Sequence, residues 1–147
     1  MELQESERRL EPTLPAGEAM ADDYLAFLFR RCAESSGRIL VAEVDRVVAG
    51  FAGVLASVAP EPDEDPASYA YLTDLVVLPA YRRKGIGREL LARAEGWARQ
   101  AGARTLRVGV LARNRPAGNL YHSLGFREFQ LELAKSLSSV GRPEADA

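Results

Sequence analysis

Seven consecutive residues, Arg82-Arg83-Lys84-Gly85-Ile86-Gly87-Arg88, set four cations around two glycines. They follow an apolar run, Leu75–Leu78, and precede a stretch with helical periodicity, so the glycines fall where a strand would turn into a helix. The first turn of a helix has backbone N–H groups without intrahelical acceptors and carries a partial positive charge. A diphosphate can take several hydrogen bonds there, and glycine keeps side chains out of its way. A Walker loop would need a lysine and a hydroxyl residue after its second glycine, whereas Lys84 precedes Gly85 and Arg88 follows Gly87. A dinucleotide fingerprint would need a small residue at position 90 and an acid at the end of the next strand, where the chain has Leu90 and then Leu111-Ala112-Arg113.

The elements that must hold this turn are legible from periodicity. Residues 18 to 35 carry apolar side chains at 20, 24, 25, 28 and 32, a helical stripe, with Gly37 as its left-handed stop. Ile39–Val44 and Val47–Val58 are rich in β-branched residues and read as a hairpin about Asp45-Arg46. Pro60 to Pro66 is an acidic, proline-rich loop, and Tyr69–Leu78 a third strand. A helix from Ile86 closing at Gly102, with Leu90, Leu91, Ala94, Trp97 and Ala98 on one face, leads to a fourth strand over Thr105–Leu111. Strand, helix and strand in that order form a βαβ unit with parallel strands. A short helix over Pro116–Leu124 and a last strand over Phe126–Leu133 complete the pattern. The expected fold class is α/β, with a mixed, mostly antiparallel sheet and helices on both faces.

The chain of 147 residues, 47% hydrophobic, has the size of a single domain. We take residues 1–147 as that domain, with a core over about 18–137 and a flexible tail over 138–147. No apolar run approaches a membrane span, and the charged Met1–Glu11 does not resemble a signal peptide, so a cytoplasmic location and no membrane partner are expected. One cysteine, Cys32, and one histidine, His122, supply neither a disulfide nor a zinc site, and no metal is expected. Residues 1–70 hold 14 acids and 6 bases, whereas residues 71–127 hold 3 acids and 11 bases. The bases gather at the glycine turn with few aromatics, which argues against nucleic acid as a partner.

Asp74-Leu-Val-Val-Leu-Pro-Ala-Tyr-Arg-Arg-Lys-Gly-Ile-Gly87 resembles the signature of the GNAT family of N-acetyltransferases, Arg/Gln-x-x-Gly-x-Gly/Ala after a buried strand. Asn114-Arg115-Pro116-Ala117, followed by Tyr121 and Gly125-Phe126, is similar to the family's downstream motif in order and spacing. The two cover about residues 38–134. The resemblance implies a GNAT-type domain whose parallel strands splay to admit acetyl-CoA, with CoA as product. It implies that Leu75, Val76 and Val77 offer main-chain groups to the pantetheine arm and thioester. Arg82, Arg83, Lys84, Gly85, Ile86, Gly87 and Arg88 would hold the diphosphate, and Asn114, Ala117 and Tyr121 would line the opposite wall.

It further implies that Tyr121 acts as general acid toward the departing thiolate. The base is less well marked. An alkylamine with a pKa near about 10.4 must lose a proton first, roughly 4 to 5 kcal/mol of the barrier at neutral pH. Several relatives place a glutamate on the third strand, where this chain has Tyr71 or Thr73. Asp74 is the nearest carboxylate, and simple alternation sets it on the opposite face from Thr73. Thr73 and Asp74 are both carried as catalytic candidates, while His122 points about 100° away from Tyr121 around its helix.

The reading that results is direct acetyl transfer to a primary amine of a small molecule or peptide. Its rival is a non-catalytic acyl-CoA-binding or regulatory domain of the same fold. The acidic residues Asp63, Glu64 and Asp65 suggest a cationic acceptor, and analogy with relatives allows a homodimer. The resemblance weakens before the first helix, where the family opens with a strand and this chain offers only Met1–Pro15.

Overall fold

The computed structural model describes residues 17–138. Helix α1 spans Gly17–Glu34, and strands β1 (Arg38–Val44), β2 (Val47–Val58) and β3 (Tyr69–Val77) come next. A single 3-10 turn, Pro79–Tyr81, leads to α2 (Ile86–Gln100), then β4 (Leu106–Val108) and α3 (Arg115–Ser123). The chain divides into two compact units, one ending at Asn114 and the other beginning at Arg115.

In the first unit one sheet runs in the order β1-β2-β3-β4. β1 with β2 and β2 with β3 are antiparallel, and β3 with β4 is parallel, an orientation that needs a long crossover such as the one α2 supplies. The hairpin turns on Asp45 and Arg46, both at positive φ (50° and 65°), the conformation that lets a two-residue turn follow the twist of its strands. At the end of α1 the left-handed residue is Ser36 (φ 50°), not Gly37 as expected. Gly37 is required for a different reason: a Cβ there would stand 2.6 Å from the Cα of Cys32.

The two helices of this unit lie on opposite faces of the sheet. Leu28 of α1 approaches Gly53 of β2, whereas Gly87 of α2 faces the side chain of Val77. Leu90, Leu91, Ala94 and Ala98 form the buried stripe of α2, with Ala94 three and four residues after the leucines and Ala98 four further on, as helical geometry dictates. With Leu28, Val54, Leu55 and Leu72 they make the core. Trp97, read as part of that stripe, is instead at its margin, donating Nε1–H to the Ser36 carbonyl at 2.9 Å under the Arg38 guanidinium.

Two expected strands come out differently. The fourth is three residues long rather than Thr105–Leu111, because its pairing with β3 ends at Leu72↔Val108. The last, Phe126–Leu133, is not a strand. Its alternating side chains Phe129, Leu131 and Leu133 are exposed by 68%, 77% and 84%, and the described sheet stops at β4, so alternation alone did not suffice to make a strand. In the second unit, α3 ends at Ser123, Gly125 (φ 93°) turns the chain just beyond it, and Phe126 folds back with its ring 5.3 Å from that of Tyr121. Most of the tail over 138–147 and the segment Met1–Pro15 lie outside the described residues.

Candidate active site

Three features of β3 and of the turn at its end define the site. The first is an open strand edge. Leu78 donates its N–H to the Ala49 carbonyl of β2 at 2.8 Å, and the alternation of an antiparallel ladder then turns Val76 and Asp74 toward β2 as well. The carbonyl of Val76 does press on Gly50, where a Cβ would collide with it. Leu75 and Val77 therefore direct their main-chain groups to the other edge, where β4 has already ended. Of the three residues expected to serve through their backbones, Leu75 and Val77 face the gap and Val76 backs them.

The second is the turn. Arg83 (φ 61°) and Gly85 (φ 84°) both adopt left-handed conformations around Lys84, the kind of alternation that curls successive N–H groups into an anion-binding concavity. Gly85 is the N-cap of α2, and the first helical hydrogen bond runs from Glu89 N–H to its carbonyl at 3.1 Å. The N–H groups of Ile86 and Gly87 consequently have no acceptor within the helix. Gly85 is required by its φ. Gly87 is not required by packing, since a Cβ there would meet only Val77 Cγ2 at an ordinary 3.8 Å; what its missing side chain leaves clear is the approach to the helix end. The side chains of Arg83, Lys84 and Arg88 are exposed. Arg82 differs, because its Nε donates to the Val77 carbonyl at 2.8 Å and ties the turn to the strand end.

The third is a β-bulge. Gly53 pairs with Asp74 and the next residue, Val54, pairs with Leu72, so Thr73 is the extra residue on β3. The bulge cancels one step of alternation. Thr73 and Asp74, expected on opposite faces, both lie on the α1 side, where a Cβ on Gly53 would collide with Thr73 Oγ1 and stand 3.3 Å from Asp74 Oδ2. Asp74 is 5% exposed, and the Tyr24 hydroxyl of α1 donates to it, 2.8 Å from each carboxylate oxygen. Burial first, and then the Asp74 charge, raise the pKa of the nearby Cys32 thiol. Tyr71 belongs to the same face and brings its hydroxyl against Gly109, just past β4, where a Cβ would stand 2.9 Å from it.

The remaining candidates belong to other segments. Asn114 closes the first unit, its N–H bonded to the Leu111 carbonyl at 2.8 Å. Ala117 and Tyr121 belong to α3 in the second unit, where His122 pairs with Glu128 at 2.7 Å. In the acidic loop Glu64 is already engaged by Arg107 at 3.0 Å, and Arg107 stacks on Tyr69. The Glu61 main chain, and then Arg107, hold the Glu64 carboxyl below the usual glutamate range. Sequence reasoning missed Tyr24, counted as part of an apolar stripe, and missed the bulge. The available signal was a pair of glycines, Gly50 and Gly53, inside a strand, which marks a bulge or a close backbone approach.

A helix end with main-chain donors left over, a strand edge opened where a parallel pair ends early, and a buried carboxylate lie along one strand of this α/β protein. The chain belongs to the acetyltransferase (GNAT) family, whose model matches residues 2–126. It is 35% identical over 88 residues to the L-methionine sulfoximine/L-methionine sulfone acetyltransferase of Salmonella typhimurium, covering 60% of this chain and 49% of that protein. With an aminoglycoside N(6')-acetyltransferase type 1 of Stenotrophomonas maltophilia it shares 29% identity over 109 residues, 74% of this chain and 71% of that one. The chain thus spans about half the length of the first curated relatives it matches. Among solved structures, the aminoglycoside acetyltransferase AAC(6')-Iy with a CoA bisubstrate analogue superposes with a TM-score of 0.67 at 22% identity, over 90% of this chain and 86% of that one. That likeness shows the fold. No described helix is long and apolar enough to cross a membrane.

Proposed function

We propose that the chain is one N-acetyltransferase domain that transfers an acetyl group from acetyl-CoA directly to a primary amine of a small molecule. The observation that carries this is the conjunction on one strand: β3 leaves Leu75 and Val77 unpaired by β4 and runs into a helix end whose Gly87 has no packing reason to be glycine. Main-chain donors of Gly85, Ile86 and Gly87 hold the diphosphate, with Arg83, Lys84 and Arg88 adding charge at its rim. Arg82 keeps that end of the strand in place. The open edge at Leu75 and Val77 orients the pantetheine arm and polarises the thioester carbonyl, a placement that fixes the reacting carbon before the amine arrives. The resemblance of the downstream motif adds Asn114 and Ala117 to the residues that contact the coenzyme.

The nitrogen attacks, the C–S bond breaks, and the Tyr121 phenol protonates the departing thiolate. Cys32, with its thiol pKa raised, is a poor nucleophile, which favours a ternary complex over an acetylated enzyme. The acetyltransferases of aminoglycosides, aminoalkylphosphonate and thialysine among the relatives support a small-molecule acceptor. A cytoplasmic setting agrees with a single free cysteine.

Thiol release from acetyl-CoA against kanamycin, thialysine, 2-aminoethylphosphonate and methionine sulfone tests the reading. Tyr121→Phe should lower kcat about 100-fold with the CoA Kd unchanged. Binding of CoA with no turnover on any acceptor would instead make the chain an acyl-CoA-binding domain, and a calorimetric titration without heat or saturation would remove the coenzyme altogether.

A further inference from the structure

Asp74 is a buried carboxylate among the described residues, and its hydrogen-bond partner there is a neutral phenol. Tyr24 has a single proton to share across two carboxylate oxygens, so the lone pairs of Asp74 are incompletely used. Beside it, Thr73 Oγ1 is buried with no hydrogen-bond partner. Either condition alone costs free energy that an apolar residue would not. Both occur together at the bulge, immediately past the last pair of the parallel ladder, Leu72↔Val108. Thr73 as a whole is only half-buried, and a hydroxyl without a hydrogen bond can turn between staggered positions.

We propose that Thr73 is a catalytic residue of the transfer and Tyr24 a positioning residue: the acceptor ammonium passes its proton to the Thr73 hydroxyl, which gives its own proton to Asp74, while Tyr24 holds the carboxylate in place. This rests on the acetyl-transfer reading and supplies the base it lacks. One N–H bond breaks as an Oγ1–H bond forms, and the original Oγ1–H bond breaks as an Oδ–H bond forms. The nitrogen retains the freed electron pair and uses it on the thioester carbonyl. Asp74 then returns the proton to water. Of the elements packed around Asp74, α1 presents Tyr24 and Cys32, with Arg31 acting on the latter, and β2 presents Gly53. The bulge is what makes the relay feasible, since it puts the carboxylate of residue 74 on the side of residue 73.

The test compares Thr73→Val, Thr73→Ser and Tyr24→Phe with the unaltered chain at about pH 7 and pH 9.5, reading kcat/KM with kanamycin, thialysine and 2-aminoethylphosphonate beside the CoA Kd. Thr73→Val is isosteric and should lose about 100-fold at neutral pH, in the range of general-base effects. Near pH 9.5, where a larger share of the amine is already deprotonated, the deficit should shrink to about 5-fold. Thr73→Ser keeps the hydroxyl and should recover most of the loss. Tyr24→Phe should lose about 10-fold, with the same partial recovery at high pH. The CoA Kd should stay within about twofold throughout, because no diphosphate ligand is touched. A deficit equal at both pH values, a serine variant as poor as valine, or no turnover of any of the three amines by a chain that binds CoA overturns the relay. Loss of CoA binding in the unaltered chain overturns the transferase reading itself.

Discussion

The turn after β3 and the bulge within it do complementary work on one strand by opposite means. The turn is made by local sequence: Arg83 and Gly85 adopt positive φ, Gly85 caps α2, and the groups it offers are main-chain N–H donors. The bulge is made by distant partners: Gly53 on β2 gives room for Thr73, and Tyr24 on α1 receives Asp74. A site that uses the backbone can be written in seven residues, whereas a site that uses side chains on a chosen face depends on how another strand is registered against it. Substitutions at the two places should therefore fail differently, the first in CoA binding and the second in turnover or folding.

Gly87→Asp separates the two most sharply. An aspartate in the first turn of α2 interacts favourably with the helix dipole, by about 0.3 to 1 kcal/mol, and its Cβ meets nothing closer than 3.8 Å. The melting temperature should hold or rise. The same carboxylate stands where we propose that the diphosphate binds, and CoA affinity should fall about 100-fold, close to 2.7 kcal/mol. Calorimetry and thermal unfolding on one sample check both signs, and a lowered melting temperature with intact CoA binding would erase the contrast.

Gly53→Ala is the mirror experiment. The added methyl collides with Thr73 Oγ1 inside the bulge and crowds Asp74 and Leu28. Overpacking of this kind costs about 1 to 3 kcal/mol, which for a chain of this length lowers the melting temperature by roughly 3 to 10 °C. Turnover should fall with it, while the diphosphate turn, built locally, keeps CoA affinity within about threefold in the folded fraction. A variant that melts with the parent and turns over normally would mean that the bulge tolerates another register.

Legibility in the sequence divides along the same line. Gly85, Gly87 and the cations around them identified the turn because its chemistry is contiguous, and the stripe of Leu90, Leu91, Ala94 and Ala98 identified the helix behind it. The first three strands and the parallel crossover were legible for the same reason. Alternation failed at Thr73 and Asp74, since a period of two carries no record of a bulge that a glycine on the neighbouring strand permits. It failed again over Phe126–Leu133, where the pattern states which face a strand would bury and not whether a partner edge exists. Tyr24 was hidden inside a helical stripe, because a phenol that buries its ring and uses its hydroxyl looks like packing.

The smallest effect tests whether the glycines are being read for the right reasons. Gly96 lies in the body of α2, and a Cβ there meets nothing within 4 Å. Neither a turn nor a close approach requires it, so helix propensity alone should decide the outcome of Gly96→Ala. The substitution removes about 0.5 to 1 kcal/mol of backbone-entropy cost and should raise the melting temperature by roughly 2 to 4 °C, with CoA affinity and turnover unchanged. Thermal unfolding beside a CoA titration measures it. A loss of either stability or affinity would show that α2 is constrained along its length, and the confinement of the anion site to its first turn would have to be given up.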